Sequence, residues 1–379
     1  MEDSRAVTIV AHDIGPLGGM ERRLTRLVSG LLARGYRVNV IARRCDLPPH
    51  PMLTWRRVRC PARPFTIFYP LFFVVGSFAV KRHAQGVVHT TGAIVFSRAD
   101  VSTVHFCHHA FRNSEPVRRS SKRGPLYRVN ARMAAALSLA GERWCYRPGH
   151  TETLVAVSDG VRRELDLNFR RMTGRIEVIP NGVDRDLFRP CQEEGKRLRE
   201  ELGTGSGDLI SLFVGGEWER KGLRLVIQAL VHAPEWHLLV VGPGDTPTFR
   251  RLAEERGVAD RVHFAGRRSD TPRFFAAADA FVLPTEYEAF PLVVLEAAST
   301  GVPLVVTRVN GVEDLLTDGQ NGWFITRDAK VIAERLRRLA ADSERRAQMA
   351  IASREASAEY SWESVVERYS RLYVRIASD

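Results

Sequence analysis

The sequence lacks the cysteine and nucleotide motifs that would place it in several common protein classes. Its five cysteines are scattered and form no CxxC pair, which is typical of a reducing compartment and predicts a cytoplasmic protein. It has no zinc-finger spacing, RNA-binding aromatic signature or basic zipper, so nucleic acid is not an expected partner. The phosphate-binding motif GxxxxGK[ST] is also absent, which argues against an ATPase. The cysteines are Cys45, Cys60, Cys107, Cys145 and Cys191.

Long hydrophobic runs are absent as well. The longest uncharged apolar stretch, FTIFYPLFFVVGSFAV at 65–80, has 16 residues and includes Pro70 and Gly76. A helix that spans a membrane needs about 20 apolar residues, so we expect a buried or interfacial helix here. The first ten residues, MEDSRAVTIV, contain no small-residue cleavage site, and a secretory signal is not expected.

The net charge of +12 is unevenly distributed. Residues 1–190 hold 31 lysines and arginines against 15 aspartates and glutamates, a balance of +16, whereas residues 191–379 hold 25 against 29, a balance of −4. A basic half of this kind indicates an anionic membrane surface, a phosphorylated substrate, or simply an arginine-rich solvated surface. The sequence leaves these three alternatives open.

Short β-branched runs alternate with helix-length segments along most of the chain, and the pattern restarts after GTGSG at 203–207. This alternation predicts an α/β protein with two doubly wound parallel-sheet domains, 1–185 and 186–360, followed by a helix at 361–379. The expected strands are 6–13, 37–43, 86–92, 100–106, 153–158 and 175–180 in the first domain, then 208–216, 237–244, 261–266, 280–285 and 303–308 in the second.

Glycines and cations follow the first strand of each domain, where ligands of doubly wound sheets bind. Gly18 and Gly19 open a helix after the first strand, and such a helix terminus can hold a phosphate. In FVGGEWERKGL, Arg220 and Lys221 stand where two cations would neutralise a diphosphate. A tight turn and a solvated basic turn explain the two segments equally well when each is considered alone.

Two glutamates bracket an apolar segment in PTEYEAFPLVVLEA. Pro291 suits the first turn of a helix, which places Glu288 in the preceding loop and Glu296 inside the helix. Because the two glutamates are not i, i+4 neighbours, we expect them to accept hydrogen bonds from different hydroxyls of one elongated ligand.

The glutamate pair, in this context, closely resembles the signature of the family 4 retaining glycosyltransferases, which have the GT-B fold. GGMER, VIPNGVDRDLFRP, FVGGEWERKGL, HFAGRR and YSWESVVERY are similar to further motifs of that family, in order along the whole chain. The resemblance implies two facing Rossmann-like domains, an acceptor-binding one and then a nucleotide-sugar-binding one. It also implies an interdomain cleft and a C-terminal helix that crosses back to the first domain.

The resemblance also implies roles for individual residues. His105 would contact the donor sugar, with His108 and His109 as rivals, and Glu288 would face the sugar hydroxyls. Arg220 and Lys221 would stabilise the leaving diphosphate, so these two with His105 and Glu288 form the expected catalytic set. The expected donor-binding residues are Gly18, Gly19, Gly215, Gly216, Arg220, Lys221, Phe264, Phe290, Leu292 and Glu296.

The implied reaction is transfer of a hexose, with retention of configuration, to a glycan, a lipid-linked acceptor or a small molecule. A UDP-sugar is the preferred donor and GDP-mannose the alternative; no metal or other cofactor is expected, since no DxD motif stands at the expected sites. Two positions depart from the family: Gly216 where it often has arginine, and Pro291 where it often has glycine. A UDP-sugar 2-epimerase, a phosphorylase or an idle sugar-nucleotide-binding scaffold remain alternatives. The expected location is the cytoplasm, including the inner face of the cytoplasmic membrane.

Overall fold

The computed structural model describes residues 5–15, 19–113, 125–205 and 207–378, and the chain divides into two compact units. Unit 1 comprises Met1–Gly182 and Trp362–Asp379, and unit 2 comprises Val183–Ser361. These bounds lie within three residues of the domain division expected from the sequence. The C-terminal helix belongs to unit 1 although unit 2 separates it from the rest of that unit in sequence.

Within the described residues, unit 1 is built on a seven-stranded parallel sheet in the order β5-β3-β1-β6-β7-β8-β9. Elements are numbered in chain order. The strands are β1 Ala6–Val10, β3 Arg37–Ala42, β5 Leu53–Arg57, β6 Val87–Thr90, β7 Ala99–Val104, β8 Thr151–Ala156 and β9 Ile176–Val178, and a separate short pair is formed by β2 Asp13–Ile14 and β4 Arg44–Cys45. The helices are α1 Gly19–Ala33, α2 Phe65–His83, α3 His108–Asn113, α4 Pro125–Cys145, α5 Asp159–Asn168 and α14 Trp362–Ser378.

Unit 2 is built, over its described residues, on a six-stranded parallel sheet in the order β12-β11-β10-β13-β14-β15. The strands are β10 Leu209–Val214, β11 Trp236–Val241, β12 Val262–Gly266, β13 Ala280–Leu283, β14 Leu304–Thr307 and β15 Gly322–Ile325. The helices are α6 Gln192–Leu202, α7 Trp218–Lys221, α8 Leu223–Leu230, α9 Thr246–Glu255, α10 Thr271–Ala276, α11 Leu292–Thr300, α12 Ala329–Ala341 and α13 Ser343–Ala356.

The sheets form where the sequence has unbroken apolar runs. The strand AVTIV (β1) is buried at every position, and LVVT (β14) likewise, because helices cover both faces of a parallel sheet. The α/β prediction and all eleven expected strands are confirmed, with ends that differ by up to three residues. The strands β5 and β15 and the short pair β2–β4 were not expected.

The strand orders place one point of reversal in each sheet. In unit 1 the connections diverge between β1 and β6, and in unit 2 between β10 and β13. Loops that follow these central strands open outward in opposite directions and leave a crevice at the carboxyl end of the sheet. The residues expected to carry chemistry should therefore gather there.

The apolar segment 65–80 forms a helix, as expected, which continues to His83. One described helix, α2, is long and apolar enough to cross a membrane by length and composition alone, and one third of its most apolar window is buried. Phe68, Phe72 and Val80 pack into a hydrophobic cluster with Val10 and Ile41 of the sheet. The opposite face of α2 is exposed, so the helix is buried on one side only.

Candidate active site

Arg220, Lys221 and Glu288 meet at the point of reversal in the unit 2 sheet. The Oε1 atom of Glu288 lies 3.4 Å from Lys221 Nζ and 3.4 Å from Arg220 Nη1. It also accepts a hydrogen bond of 3.1 Å from the hydroxyl of Thr285. One carboxylate oxygen therefore contacts two cations that follow β10 and a hydroxyl that follows β13.

Glycines allow the cations to reach this position. Gly215 has φ +145°, and a Cβ added there would lie 2.9 Å from Lys221 Nζ, so the lysine amine rests against a bare backbone. Gly222 has φ +81°, and its missing Cβ would lie 2.4 Å from the carbonyl of Pro284. Both positions require backbone conformations that side chains rarely adopt, which explains why glycine flanks the short helix α7.

Arg327 contacts both the loop after β10 and the loop after β13, and this residue was not expected from the sequence. Its guanidinium donates to the carbonyl oxygens of Arg220, at 3.0 Å, and of Pro284. Its Nη2 pairs with Glu286 at 3.1 Å. Since Arg220 O also accepts from the Glu286 backbone N–H, the loops after β10 and β13 are held as one body.

The carboxylates of the cluster keep Arg220 charged. Burial alone would lower the pKa of Arg220, but Glu288 and Glu217 outweigh it, and its pKa is raised. Arg220 also donates to the carbonyl of Tyr287 at 2.5 Å, and its Nη2 to Glu217 at 2.9 Å. The guanidinium is therefore fixed in direction, as preorganised recognition of a phosphate requires.

Glu296 lies inside α11 and is partly exposed. Pro291 is the N-cap of α11, one position before the first helical residue, Leu292, which corrects the expectation that it stands in the first turn. Phe290 is buried and its ring packs 6.1 Å from that of Tyr360, so it supports the loop beneath the helix.

Aromatic packing also fixes the loop after β10. Trp218 is buried and donates from Nε1 to the carbonyl of Gly215 at 2.9 Å. The ring of Phe264, in the middle of β12, lies 5.6 Å from the Trp218 ring. Gly216 has no heavy atom within 3.4 Å of a built Cβ, and the nearest is the Pro243 carbonyl at 3.5 Å. The position where the family often has arginine is therefore uncrowded.

In unit 1, His105 follows β7 and is held by Arg23 of α1. Arg23 is buried, its Nη1 contacts His105 Nε2, and its Nη2 donates to the hydroxyl of Tyr369 at 2.9 Å. Burial, then Arg23 and His89, hold the pKa of His105 well below its usual range. The ring is therefore neutral near pH 7, and Arg23 Nη1 also lies 3.3 Å from its Nδ1.

The rival histidines have different surroundings. His109 pairs through Nδ1 with Glu142 at 2.7 Å and accepts from Arg143 Nε at 3.2 Å, so both ring nitrogens are engaged. Burial lowers the pKa of His108, whose backbone N–H donates to Glu142 at 2.7 Å. Glu142 thus accepts hydrogen bonds from the start of α3, and the side chain of His109 is one of its partners.

A cavity of about 210 Å³ lies at the point of reversal in the unit 1 sheet. His105 and His108 line it, together with residues that follow β1 and β6 and residues of α2 and α4. Gly19 is the first residue of α1, whereas Gly18 lies outside the described residues. Over the described parts of the chain, no group of three or more His, Cys, Asp or Glu side chains could hold a metal ion.

Two family models match the chain, one over each half. The model described as Glycosyltransferase Family 4 matches residues 17–187, and that described as Glycosyl transferases group 1 matches residues 195–356. A D-inositol 3-phosphate glycosyltransferase of Xylanimonas cellulosilytica is 30% identical over 95% of this chain and 92% of its own. The lipopolysaccharide glucosyltransferase WaaG of Escherichia coli is 27% identical over 82% of each chain.

Solved structures show the same fold. The crystal structure of WaaG, a glycosyltransferase involved in lipopolysaccharide biosynthesis, has a TM-score of 0.77, 24% identity, and covers 96% of this chain and 98% of that one. Sucrose-phosphate synthase from Thermosynechococcus elongatus has a TM-score of 0.78, 20% identity, and covers 99% of each. The fold is GT-B, and the chain belongs to family 4 of the glycosyltransferases.

Proposed function

We propose that the protein transfers a hexose from a UDP-sugar to an acceptor hydroxyl, with retention of anomeric configuration. The observation that carries the proposal is the cluster of Arg220, Lys221 and Glu288 at the reversal point of the unit 2 sheet. Arg220 and Lys221 follow β10, where a nucleotide diphosphate is expected to bind, and they pair with Glu288 and, for Arg220, also with Glu217.

The cations act on the leaving group. Breakage of the bond between the anomeric carbon and the diphosphate sends an electron pair to the phosphate oxygen, where new negative charge develops. Donors that are already oriented stabilise developing charge without reorganisation. Arg220 offers planar bidentate contact, and Lys221 supplies a point charge. When the diphosphate is bound, both cations contact the diphosphate oxygens and interact less strongly with Glu288.

Glu288 does not serve as a covalent nucleophile in this proposal. Its Oε1 already accepts from Thr285 and faces both cations, which lowers the reactivity of the carboxylate and suits it to hold hydroxyls of the donor sugar. The acceptor oxygen attacks from the face that the diphosphate leaves. The new glycosidic bond forms as the old bond breaks, and a donor phosphate oxygen takes the acceptor proton.

The donor and acceptor classes rest on the relatives and on the two units. The names of the relatives describe a glucosyltransferase and an inositol phosphate glycosyltransferase, which favours a hexose; GDP-mannose is the alternative donor. We assign the acceptor to unit 1, whose cavity is lined by His105, His108 and the carboxylates of Asp13, Glu21 and Glu142. The acceptor is a glycan, a lipid-linked sugar or a small hydroxylated molecule.

The test is a thermal-shift screen followed by product analysis. A ligand that binds the folded state raises the unfolding temperature, and a tighter ligand raises it more. UDP-glucose, UDP-galactose and UDP should therefore each raise the unfolding temperature more than GDP-mannose does. With labelled donor and candidate acceptors, NMR of the product should show the donor's anomeric configuration, and the rate should persist in EDTA. Epimerised donor without transfer, or an inverted product, would overturn the proposal.

A further inference from the structure

The outward face of α2 is a stripe of large apolar side chains. Ile67, Leu71, Val74 and Phe78 expose 57%, 39%, 45% and 61% of their surface. Their spacing of four, three and four residues puts them on one side of the helix, one above the other. We call these four residues the α2 stripe. Contiguous exposed apolar surface of this kind marks an interaction site on a soluble fold.

The inner face of the same helix is committed to the sheet. Phe68 and Phe72 pack with Val10 and Ile41 in one hydrophobic cluster, and Tyr69 donates to the carbonyl of Ala93 at 2.5 Å. A helix that crossed a membrane would have to break these contacts. The helix therefore presents one face outward while it remains part of unit 1.

Helix α4 extends the exposed apolar surface alongside. Thr66 donates to Asn130 at 3.2 Å, which fixes α4 beside the start of α2. Val129 and Met133 of α4 are more than half exposed, and Trp144 is 44% exposed. Trp144 Nε1 donates to the carbonyl of Phe96 at 3.4 Å, and the Phe96 ring lies 6.1 Å from that of Phe78.

Two cations lie at the C-terminal end of the α2 stripe, next to Phe78. Lys81 and Arg82 follow Phe78 by one turn and are exposed, and Lys81 Nζ lies 5.7 Å from the centre of the Phe96 ring. An apolar helix face with indole and phenyl rings and lysine or arginine at its margin is the pattern of a helix that lies in a bilayer surface. The balance of +16 over residues 1–190 favours an anionic surface.

We propose that the α2 stripe docks unit 1 on an anionic lipid bilayer, with α2 parallel to the membrane plane. The apolar side chains enter the boundary between headgroups and acyl chains, and Lys81 and Arg82 remain at the level of the lipid phosphates. Neither step depends on the identity of the sugar donor. The protein would thereby work at the inner face of the cytoplasmic membrane while both units remain folded as described.

Co-sedimentation with vesicles tests the proposal. Wild-type protein should pellet with vesicles of phosphatidylcholine and phosphatidylglycerol, pellet less with phosphatidylcholine alone, and be released as salt rises. Leu71→Glu with Phe78→Glu should reduce binding at least about 25-fold, since each such side chain contributes a factor of about five or more. Lys81→Gln with Arg82→Gln should reduce binding to the anionic vesicles by about fivefold for each charge removed.

Matched controls separate the stripe from general hydrophobicity and from misfolding. Leu167→Glu with Ile351→Glu changes two exposed apolar side chains elsewhere, 71% and 62% exposed, and should bind vesicles like the wild type. Val74→Ser with Phe78→Ser repeats the test without added charge. The stripe variants should keep the wild-type unfolding temperature.

Two outcomes would overturn the proposal. One is equal vesicle binding by the wild type and by a folded stripe variant. The other is wild-type protein that ignores both vesicles but forms a concentration-dependent dimer, lost in the stripe variant; a second copy of the chain would then cover the face.

Discussion

Lys221 offers the sharpest test of how the cluster works. Its amine lies 3.4 Å from Glu288 Oε1 and rests against the backbone of Gly215. Lys221→Met keeps most of the side-chain stem and removes only the charge. Glu288 keeps Arg220 and Thr285 as partners in the variant, so no carboxylate is left buried without a cation, and the fold should persist.

The expected loss follows from where charge appears in the reaction. Removal of one preoriented donor from a developing oxyanion typically costs about 2.7–4 kcal/mol, or a hundredfold to a thousandfold in kcat. The diphosphate is already charged in the bound donor but gains negative charge as the bond breaks. Lys221 should therefore matter more in the transition state than in the ground state, and the donor KM should rise much less than kcat falls.

The assay is steady-state release of the nucleotide diphosphate, with single-turnover runs to isolate the chemical step. Lys330→Met, at an exposed position near the start of α12, is the matched control and should retain wild-type kinetics. A Lys221→Met protein with kcat within about fivefold of wild type would refute the assignment, because a lost charge stabiliser at the leaving group cannot be that weak. A rise in KM alone would reduce Lys221 to a binding residue.

The other predictions concern separate residues. Glu296→Ala should weaken nucleotide binding by about tenfold, as titration calorimetry would show, while kcat at saturating donor changes little; an unchanged Kd would contradict the expectation that Glu296 binds the donor. His105→Ala should lower kcat by about a hundredfold, because the donor sugar loses a positioning contact, whereas His109→Ala, which loses the contacts with Glu142 and Arg143, should lower the unfolding temperature and keep kcat within a few-fold. Equal effects on kcat would contradict the distinction. Burial, then Arg23, lowers the pKa of His89 from 6.5 to about 3. Between pH 6.5 and pH 3 the unfolded chain therefore binds a proton at His89 that the folded state does not bind. The contribution of His89 to the free energy of unfolding is fully present above pH 6.5, and it falls by about 1.4 kcal/mol per pH unit on acidification towards pH 3. In urea titrations His89→Gln should flatten this slope, and an identical slope would contradict the reasoning.

The sheets could be predicted because their strands bury both faces. An unbroken apolar run such as LISLFV in β10 needs no tertiary information to be recognised. The missed strand β5, LTWRR, lies at the edge of the sheet, and four of its five residues are exposed. It forms because its backbone pairs with β3, and its side chains give no apolar signal. Edge strands depend on their neighbour more than on their own sequence.

The cluster in unit 2 could be predicted only in part. Arg220 and Glu288 were each singled out from loops that follow strands, and the strand order brings those loops together. Their shared contacts join residues 68 positions apart, which no local pattern encodes. Arg327 was missed because it acts by donating to backbone carbonyls of both loops, a contact that no motif in the sequence marks. Only the folded structure shows which carbonyl oxygens lie near enough.

The C-terminal helix α14 contacts residues that position His105, although it is distant from them in sequence. Arg23 donates to Tyr369 of α14 while it contacts His105, and Thr103, two residues before His105, shares the same Tyr369 hydroxyl at 2.9 Å. The buried guanidinium lowers the pKa of His105 after burial itself, and an unpaired buried charge would be costly without hydrogen-bond partners. The tyrosine therefore gives Nη2 of the buried arginine an acceptor, and that arginine contacts the histidine. A chain whose end returns to unit 1 can in this way control the protonation of a residue that its own sequence neighbours leave undetermined.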